Sequence, residues 1–174
     1  SQVVAAGIAV VCDKPLSHSL QAAEEFADQL RRDPVAFMLT HNYTGYPMIR
    51  EARSLIAAGA LGRIRRIDCE YLQGWLADGQ ETQDNKQAAW RTDPERAGRA
   101  GCFGDIGSHC QNLVEFVSGQ LIDSVAADLS SFIPDRRVDD DGNVLLRFTS
   151  GARGSISASQ IAVGEENGLR LRIY

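Results

Sequence analysis

Residues 8–15 read Ile-Ala-Val-Val-Cys-Asp-Lys-Pro. The apolar run Ile8 to Cys12 has no polar interruption, the pattern of a strand covered on both faces. Ser17 or Ser19 is placed to cap a following helix, on which Leu20, Ala23, Phe26, Ala27 and Leu30 share one stripe. Asp33-Pro34 stops that helix, and Val35 to Leu39 reads as a second buried strand. Two apolar strands joined by a helix predict parallel pairing with a right-handed crossover. The opening of the chain therefore reads as a piece of a doubly wound layer.

Outward from this unit the pattern changes. Pro47 to Ala58 has a helical period through Ile49, Ala52, Leu55 and Ile56, with Pro47 at a first helical position and Gly59 at the end. Ile67, Cys69 and Tyr71 then alternate with Arg66, Asp68 and Glu70, as in a half-exposed strand. Residues 74–104 are polar and glycine-rich, with Trp75 and Trp90 as apolar anchors, and read as a functional loop or lid. A helix is predicted from Asp105 to Val117, closed by Gly119. The remainder alternates: Val125, Ala127 and Leu129; a hairpin of 143–148 and 154–161 around Thr149 to Ala152; and Leu169, Leu171 and Ile173. The expected class is α/β plus α+β: a parallel βα piece, then a mostly antiparallel open sheet with helices on one face. Residues 1–43 would form the first domain and 44–174 the second.

Composition narrows the function. Hydrophobic residues make up 44% of the chain and charged residues 24%, ordinary for a globular protein. A net charge of −5 argues against nucleic acid as a partner. The pairs Arg31-Arg32, Arg65-Arg66 and Arg136-Arg137 are scattered and read as solvated faces. No apolar run approaches the roughly 18 residues that span a bilayer, so no membrane is expected. The N-terminal Ser1-Gln2-Val3-Val4 lacks the positive start of a secretion signal. Cys12, Cys69, Cys102 and Cys110 form no Cys-x-x-Cys and read as reduced thiols in a cytoplasmic protein.

Candidate chemistry lies at two places. Lys14 follows the first strand at its carboxyl end, where parallel sheets bind ligands, and Pro15 restrains it to extended geometry. A lysine there either donates to a ligand hydroxyl or is a solvated loop residue. Asp105 and His109 stand four apart, on one face of the predicted helix. They form either an acid–base pair or a capping aspartate beside a satisfied histidine. Gly101, Gly104 and Gly107 leave room for a ligand near that helix start. Cys102, His109 and Cys110 fit no zinc spacing, Asp139-Asp140-Asp141-Gly142 reads as a turn, and no metal is expected. His18 reads as solvated; His41, Asn42 and Tyr43 lie past the second strand, on the edge that carries Lys14. None of the 16 glycines is spaced Gly-x-Gly, so the chain holds no dinucleotide phosphate loop.

Cys12-Asp13-Lys14-Pro15, Tyr43-Thr44-Gly45-Tyr46-Pro47, Ala57 to Arg63 before a strand, Trp90, and Gly101 to His109 occur in that order. Together they resemble the glucose–fructose oxidoreductase, inositol dehydrogenase and rhizopine-catabolism family (Gfo/Idh/MocA), over nearly the whole chain. The resemblance implies that the opening unit is the C-terminal part of a Rossmann-type layer. It implies an NAD(P)-dependent oxidoreductase acting on a sugar, cyclitol or related polyol, with hydride passing to or from NAD or NADP. Lys14 would bind the reacting oxygen and His109 would be the general acid–base. Asp105, Tyr43 and Trp90 would contact substrate; Asp13, Lys14 and Pro15 would lie on the cofactor side. Asp13 stands where the family has Glu. The phosphate loop would lie upstream of Ser1, so the chain is expected to be a fragment that binds dinucleotide poorly alone. A homo-oligomer through the open sheet is expected. The rival reading is a non-catalytic sheet module that mediates self-association.

Overall fold

The computed structural model describes residues 2–79 and 84–174. They fall into two compact units, Ser1–His41 and Asn42–Tyr174.

In the first unit a short helix, α1 (Gln2–Ala5), precedes β1 (Val10–Asp13), α2 (Leu20–Arg32) and β2 (Phe37–Thr40). β1 and β2 pair in parallel, Val10 opposite Phe37 and Asp13 opposite Thr40. Ser19 caps α2 by accepting from the Ala22 N–H at 3.2 Å. Phe26 of α2 meets the Phe37 ring edge-on at 5.2 Å, so α2 covers one face of the pair. The other face is open: Val11 is 68% and Met38 56% exposed. Among the described residues α2 supplies the covering layer of this pair.

The second unit holds α3 (Pro47–Ala57), β3 (Arg66–Leu72), α4 (Lys86–Arg91), α5 (Pro94–Ala97), α6 (Ser108–Ser118), β4 (Ile122–Ser130), β5 (Asp141–Phe148), β6 (Arg153–Ser159) and β7 (Gly168–Ile173). The sheet order is β4-β5-β6-β3-β7. Apolar side chains at every second position of β3, β5 and β6 pack against Cys110, Leu113, Val114 and Val117 of α6, with Ile49, Ala52 and Ile56 of α3 beside them. Burying each large aliphatic side chain stabilises by roughly 1.5–3 kcal/mol. The 143–148 hairpin forms as its alternation predicts, Arg147 opposite Arg153.

Four expectations change. β3 and β6 are parallel, Arg66 opposite Arg153 and Leu72 opposite Ser159, within an otherwise antiparallel sheet. The close approach needs Gly154, whose added Cβ would lie 2.1 Å from the Ile67 carbonyl oxygen. The 74–104 stretch contains α4 and α5, capped by Asn85 and Asp93; residues 80–83 of that stretch lie outside the described residues. The α-helix begins at Ser108, not Asp105, because Phe103–Gly107 forms one wide π-turn. β4 is exposed at almost every position, since it is an edge strand and its apolar residues face the outer flank of α6.

A further correction concerns Arg136 and the acidic run. Arg136 is buried, not solvated, and its Nη1 donates to Asp140 Oδ2 at 3.0 Å, both side chains 1% exposed. Its Nη2 donates to the Leu76 carbonyl at 3.0 Å. Asp140 also accepts from the Phe132 and Ile133 N–H groups. Asp139 accepts from the N–H groups of Gly101 at 2.7 Å and Phe103 at 2.8 Å. The run that reads as a turn is thus a set of backbone anchors. Replacing Asp140 by Ala strands a buried guanidinium and buried N–H groups. The expected loss is about 3–5 kcal/mol, read as a lower urea midpoint.

Candidate active site

Asp105 sits within the π-turn and His109 in the first turn of α6. The turn is held by its own residues: Ser108 Oγ donates to the Gly104 carbonyl at 2.9 Å and the Asp105 carbonyl at 3.1 Å. The expectation that the glycines leave room for a ligand is corrected, because the protein's own atoms fill that space. A Cβ on Gly101 would lie 2.0 Å from the Asp139 carbonyl oxygen, and one on Gly107 would lie 2.7 Å from the Phe103 ring. Their small size admits the protein's own atoms.

His109 is 9% exposed. Its ring meets Tyr43 edge-on at 4.9 Å and lies 6.1 Å from Tyr71. The Tyr43 and Tyr71 hydroxyls are 2.7 Å apart. Tyr71 donates its one proton to Asn167 Oδ1 at 3.0 Å, so it accepts from Tyr43. Burial, then the Tyr43 hydrogen bond, raises the Tyr71 pKa well above that of free tyrosine. Tyr71 is therefore a neutral phenol at physiological pH.

From Asn167 the contacts continue. Gln73 Nε2 donates to Asn167 Oδ1 at 2.7 Å, and Trp75 Nε1 donates to Gln73 Oε1 at 3.1 Å. Gln160 is buried; its Nε2 donates to Asp105 Oδ2 at 3.0 Å and reaches Gln73 Oε1 at 3.4 Å. Arg91 Nε also donates to Asp105 Oδ2, at 3.3 Å. The Arg91 guanidinium lies 4.5 Å from the Trp90 ring and 5.9 Å from the Trp75 ring. A continuous polar strip thus runs from Tyr43 to Arg91 beside the imidazole. Amides, phenols and a carboxylate in one strip can take up several hydroxyl groups of a ligand, and the imidazole can exchange a proton with one of them.

The structure brings Tyr43, Asp105, His109 and Trp90 into this one region of the second unit. Lys14, Asp13 and Pro15 belong to the first unit. There Asp13 Oδ1 accepts from Thr40 Oγ1 at 2.5 Å and from the Lys14 N–H at 3.1 Å, and the Lys14–Pro15 bond is cis. His18 is exposed. Gln73, Arg91, Gln160 and Asn167 carry no signal in the sequence pattern, and Tyr71 reads there only as a strand residue. Gln73 and Gln160 directly follow β3 and β6, and Asn167 directly precedes β7, so parallel β3–β6 pairing is what gathers them.

Cys69, Cys102 and Cys110 are buried thiols. Burial pushes the Cys102 pKa up, and the Cys69 contact followed by burial raises that of Cys110. Both shifts favour the neutral thiol at Cys102 and Cys110. Among the described residues no cluster of His, Cys, Asp or Glu is arranged to hold a metal ion. No described helix is long and apolar enough to cross a membrane. For a dinucleotide, the carboxyl ends of parallel β1 and β2 present Asp13 and Lys14 on the edge where such sheets bind ligands. A phosphate cradle of Gly-x-Gly type is not among the chain's residues.

The second unit is thus an α+β layer that carries an imidazole and a carboxylate beside a strip of amides and phenols. Residues 49–174 match the family model of the GFO/IDH/MocA C-terminal domain. The chain belongs to the Gfo/Idh/MocA family. Among solved structures, an inositol dehydrogenase homolog complexed with NAD+ from Azotobacter vinelandii superposes with a TM-score of 0.93 at 30% identity, over 98% of this chain and 44% of that one. Levoglucosan dehydrogenase in complex with NADH and levoglucosan superposes with a TM-score of 0.89 at 31% identity, over 98% and 46%. The uncharacterized oxidoreductase YfiI of Bacillus subtilis is 28% identical over 97% of this chain and 43% of its own. The chain thus spans less than half the length of these relatives.

His41 offers a local probe of Lys14. Its pKa is lowered from 6.5, first by burial and second by the Lys14 charge. The folded state thus disfavours protonated His41. Its contribution to stability is complete above the unfolded value and declines as pH falls through it. Lys14→Met should raise the His41 pKa only part of the way back to 6.5, because burial remains. A histidine NMR titration reads the shift.

Proposed function

We propose that this chain is the catalytic middle of an NAD(P)-dependent oxidoreductase acting on a sugar, cyclitol or related polyol in the cytoplasm. The observation that carries the reading is the convergence of His109 and Asp105 on the strip Tyr43–Tyr71–Asn167–Gln73–Gln160. The relatives that match over 97–98% of the chain include one solved with NADH and levoglucosan and one with NAD+.

His109 takes the proton of the reacting hydroxyl during oxidation and returns it during reduction. Its edge-on contact with Tyr43 and its tilted contact with Tyr71 hold the ring in one orientation. Asp105, with Oδ2 shared by Arg91 and Gln160, accepts from substrate hydroxyls and fixes the ring's orientation. Tyr43 and Trp90 bound the sugar. Lys14 donates to the reacting oxygen and stabilises it as its proton leaves. Asp13, Lys14 and Pro15 lie on the nicotinamide side; the nicotinamide, when bound, takes or gives the hydride.

In the full natural chain carrying these residues, His109→Asn and Lys14→Met should each lower kcat on levoglucosan or myo-inositol by about 10²–10⁴-fold, with circular dichroism unchanged. Wild-type rates in both variants refute the assignment.

The partner in this reading is a second copy, docked through the open sheet face. Register places Arg147, Arg153 and Arg66 side by side across three strands at one end of that face. Asp128 and Asp141 lie at the other end, on β4 and β5. A two-fold axis between them sets basic row against acidic row. The double variant Arg147→Glu and Arg153→Glu should shift the protein to a smaller species in light scattering at low salt. An unchanged mass removes this surface as the interface.

A further inference from the structure

The Arg91–Asp105 contact places a group that only donates beside a group that only accepts, 3.3 Å apart. Nothing in the proton transfer assigned to His109 requires a guanidinium there. Its placement is nonetheless built. Nη1 donates to the Gln87 carbonyl at 3.4 Å and to Gln87 Oε1, which also takes the Trp90 indole N–H at 3.2 Å. Nε is taken by Asp105. The plane lies near the Trp90 and Trp75 rings, at 4.5 and 5.9 Å. Among the described residues Nη2 has no hydrogen-bond partner. The side chains of Arg91 and Asp105 are 28% and 27% exposed, so both are partly open to solvent.

We propose that Arg91 is a substrate-contacting, specificity-determining residue, and that with Asp105 it forms a clamp for a vicinal diol. This rests on the polyol reading above and narrows its substrate class. One hydroxyl of the diol donates to the Asp105 carboxylate. Its neighbour, one hydrogen-bond length away on the ring, accepts from Arg91 Nη2. A single hydroxyl satisfies one half of the clamp and leaves the other half without its partner. The guanidinium is a rigid fork already fixed by three contacts, so little freedom is lost when the diol binds. The two indoles hold the guanidinium from its apolar side, at 4.5 and 5.9 Å. The opposite charges of Arg91 and Asp105 cancel, which suits a neutral polyol.

The test is a cycle that deletes the side chain and the substrate hydroxyl in turn. The full natural chain with NAD bound is titrated with levoglucosan and myo-inositol, and with the mono-deoxy analogue of each. Trp75 and Trp90 fluorescence reads binding, and kcat/KM reads turnover. In the wild type, loss of one hydroxyl of the clamped pair weakens binding on the order of 10- to 100-fold. In Arg91→Met the diol and its deoxy analogue bind within about threefold of one another. Arg91→Lys, which keeps charge and a donor, restores part of the difference. Equal discrimination in wild type and Arg91→Met overturns the clamp, as does the lack of a saturable response to either polyol. His109→Asn separates this inference from the one beneath it: a dead variant that still discriminates diol from deoxy supports both. A variant that turns over normally refutes the acid–base assignment alone.

Discussion

Parallel pairing of β3 with β6 is the constraint on which the site rests. Two parallel strands end on the same edge, so whatever follows each of them is delivered to one place. Here Gln73 follows Leu72 and Gln160 follows Ser159, while β7, antiparallel to β3, brings Asn167 to the same edge from the opposite direction. The contact is close because Gly154 presents no Cβ to the Ile67 carbonyl. A side chain there would part the strands at the end remote from the site and shift the register on which the amides depend. Sheet geometry thus decides which side chains share this edge.

The polar strip is a costly device unless every member is satisfied. Gln160 is almost wholly buried, and an amide at that depth without partners would destabilise the fold. Its partners are Asp105 and Gln73, so the amide that orients the Asp105 carboxylate also ties two strand ends together. Buried networks of this kind favour one geometry over nearby alternatives, because partial satisfaction is worse than none. Tyr43 and Tyr71 extend the principle to the imidazole: two phenols of fixed proton direction pin the face against which His109 rests.

Much of the fold was legible in local pattern. Helical period gave α2, α3 and the body of α6, and the period of two gave β3 and the β5–β6 hairpin. What local pattern does not contain is which strands become neighbours across a long crossover. The mostly antiparallel reading of the second half holds, but it does not say that β3 and β6 are the parallel pair whose edge gathers Gln73, Gln160 and Asn167. Asp105, His109, Tyr43 and Trp90 stood out because a motif marks them, whereas Arg91 sits beside Trp90 with nothing in the sequence to mark it. Arg136 was misjudged for a related reason. An Arg-Arg pair reads as surface unless one knows that Asp140, four residues on, is buried beneath the same strap.

The glycines before His109 show why packing and catalysis are hard to separate in such a site. Gly101 lies under Asp139, whose carboxylate takes the N–H groups of Gly101 and Phe103, and Gly107 lies under the Phe103 ring. These contacts close the wide turn from below. A wide turn carries one more residue than an α-helical turn, so it rotates Asp105 relative to the α6 axis. That rotation is compatible with Asp105 meeting Gln160 at the strand edge while His109 meets the tyrosines. An α-helix continued back to Asp105 would fix both side chains on one stripe. The orientation of the acid–imidazole pair therefore follows from a local backbone irregularity that the acidic strap behind it stabilises.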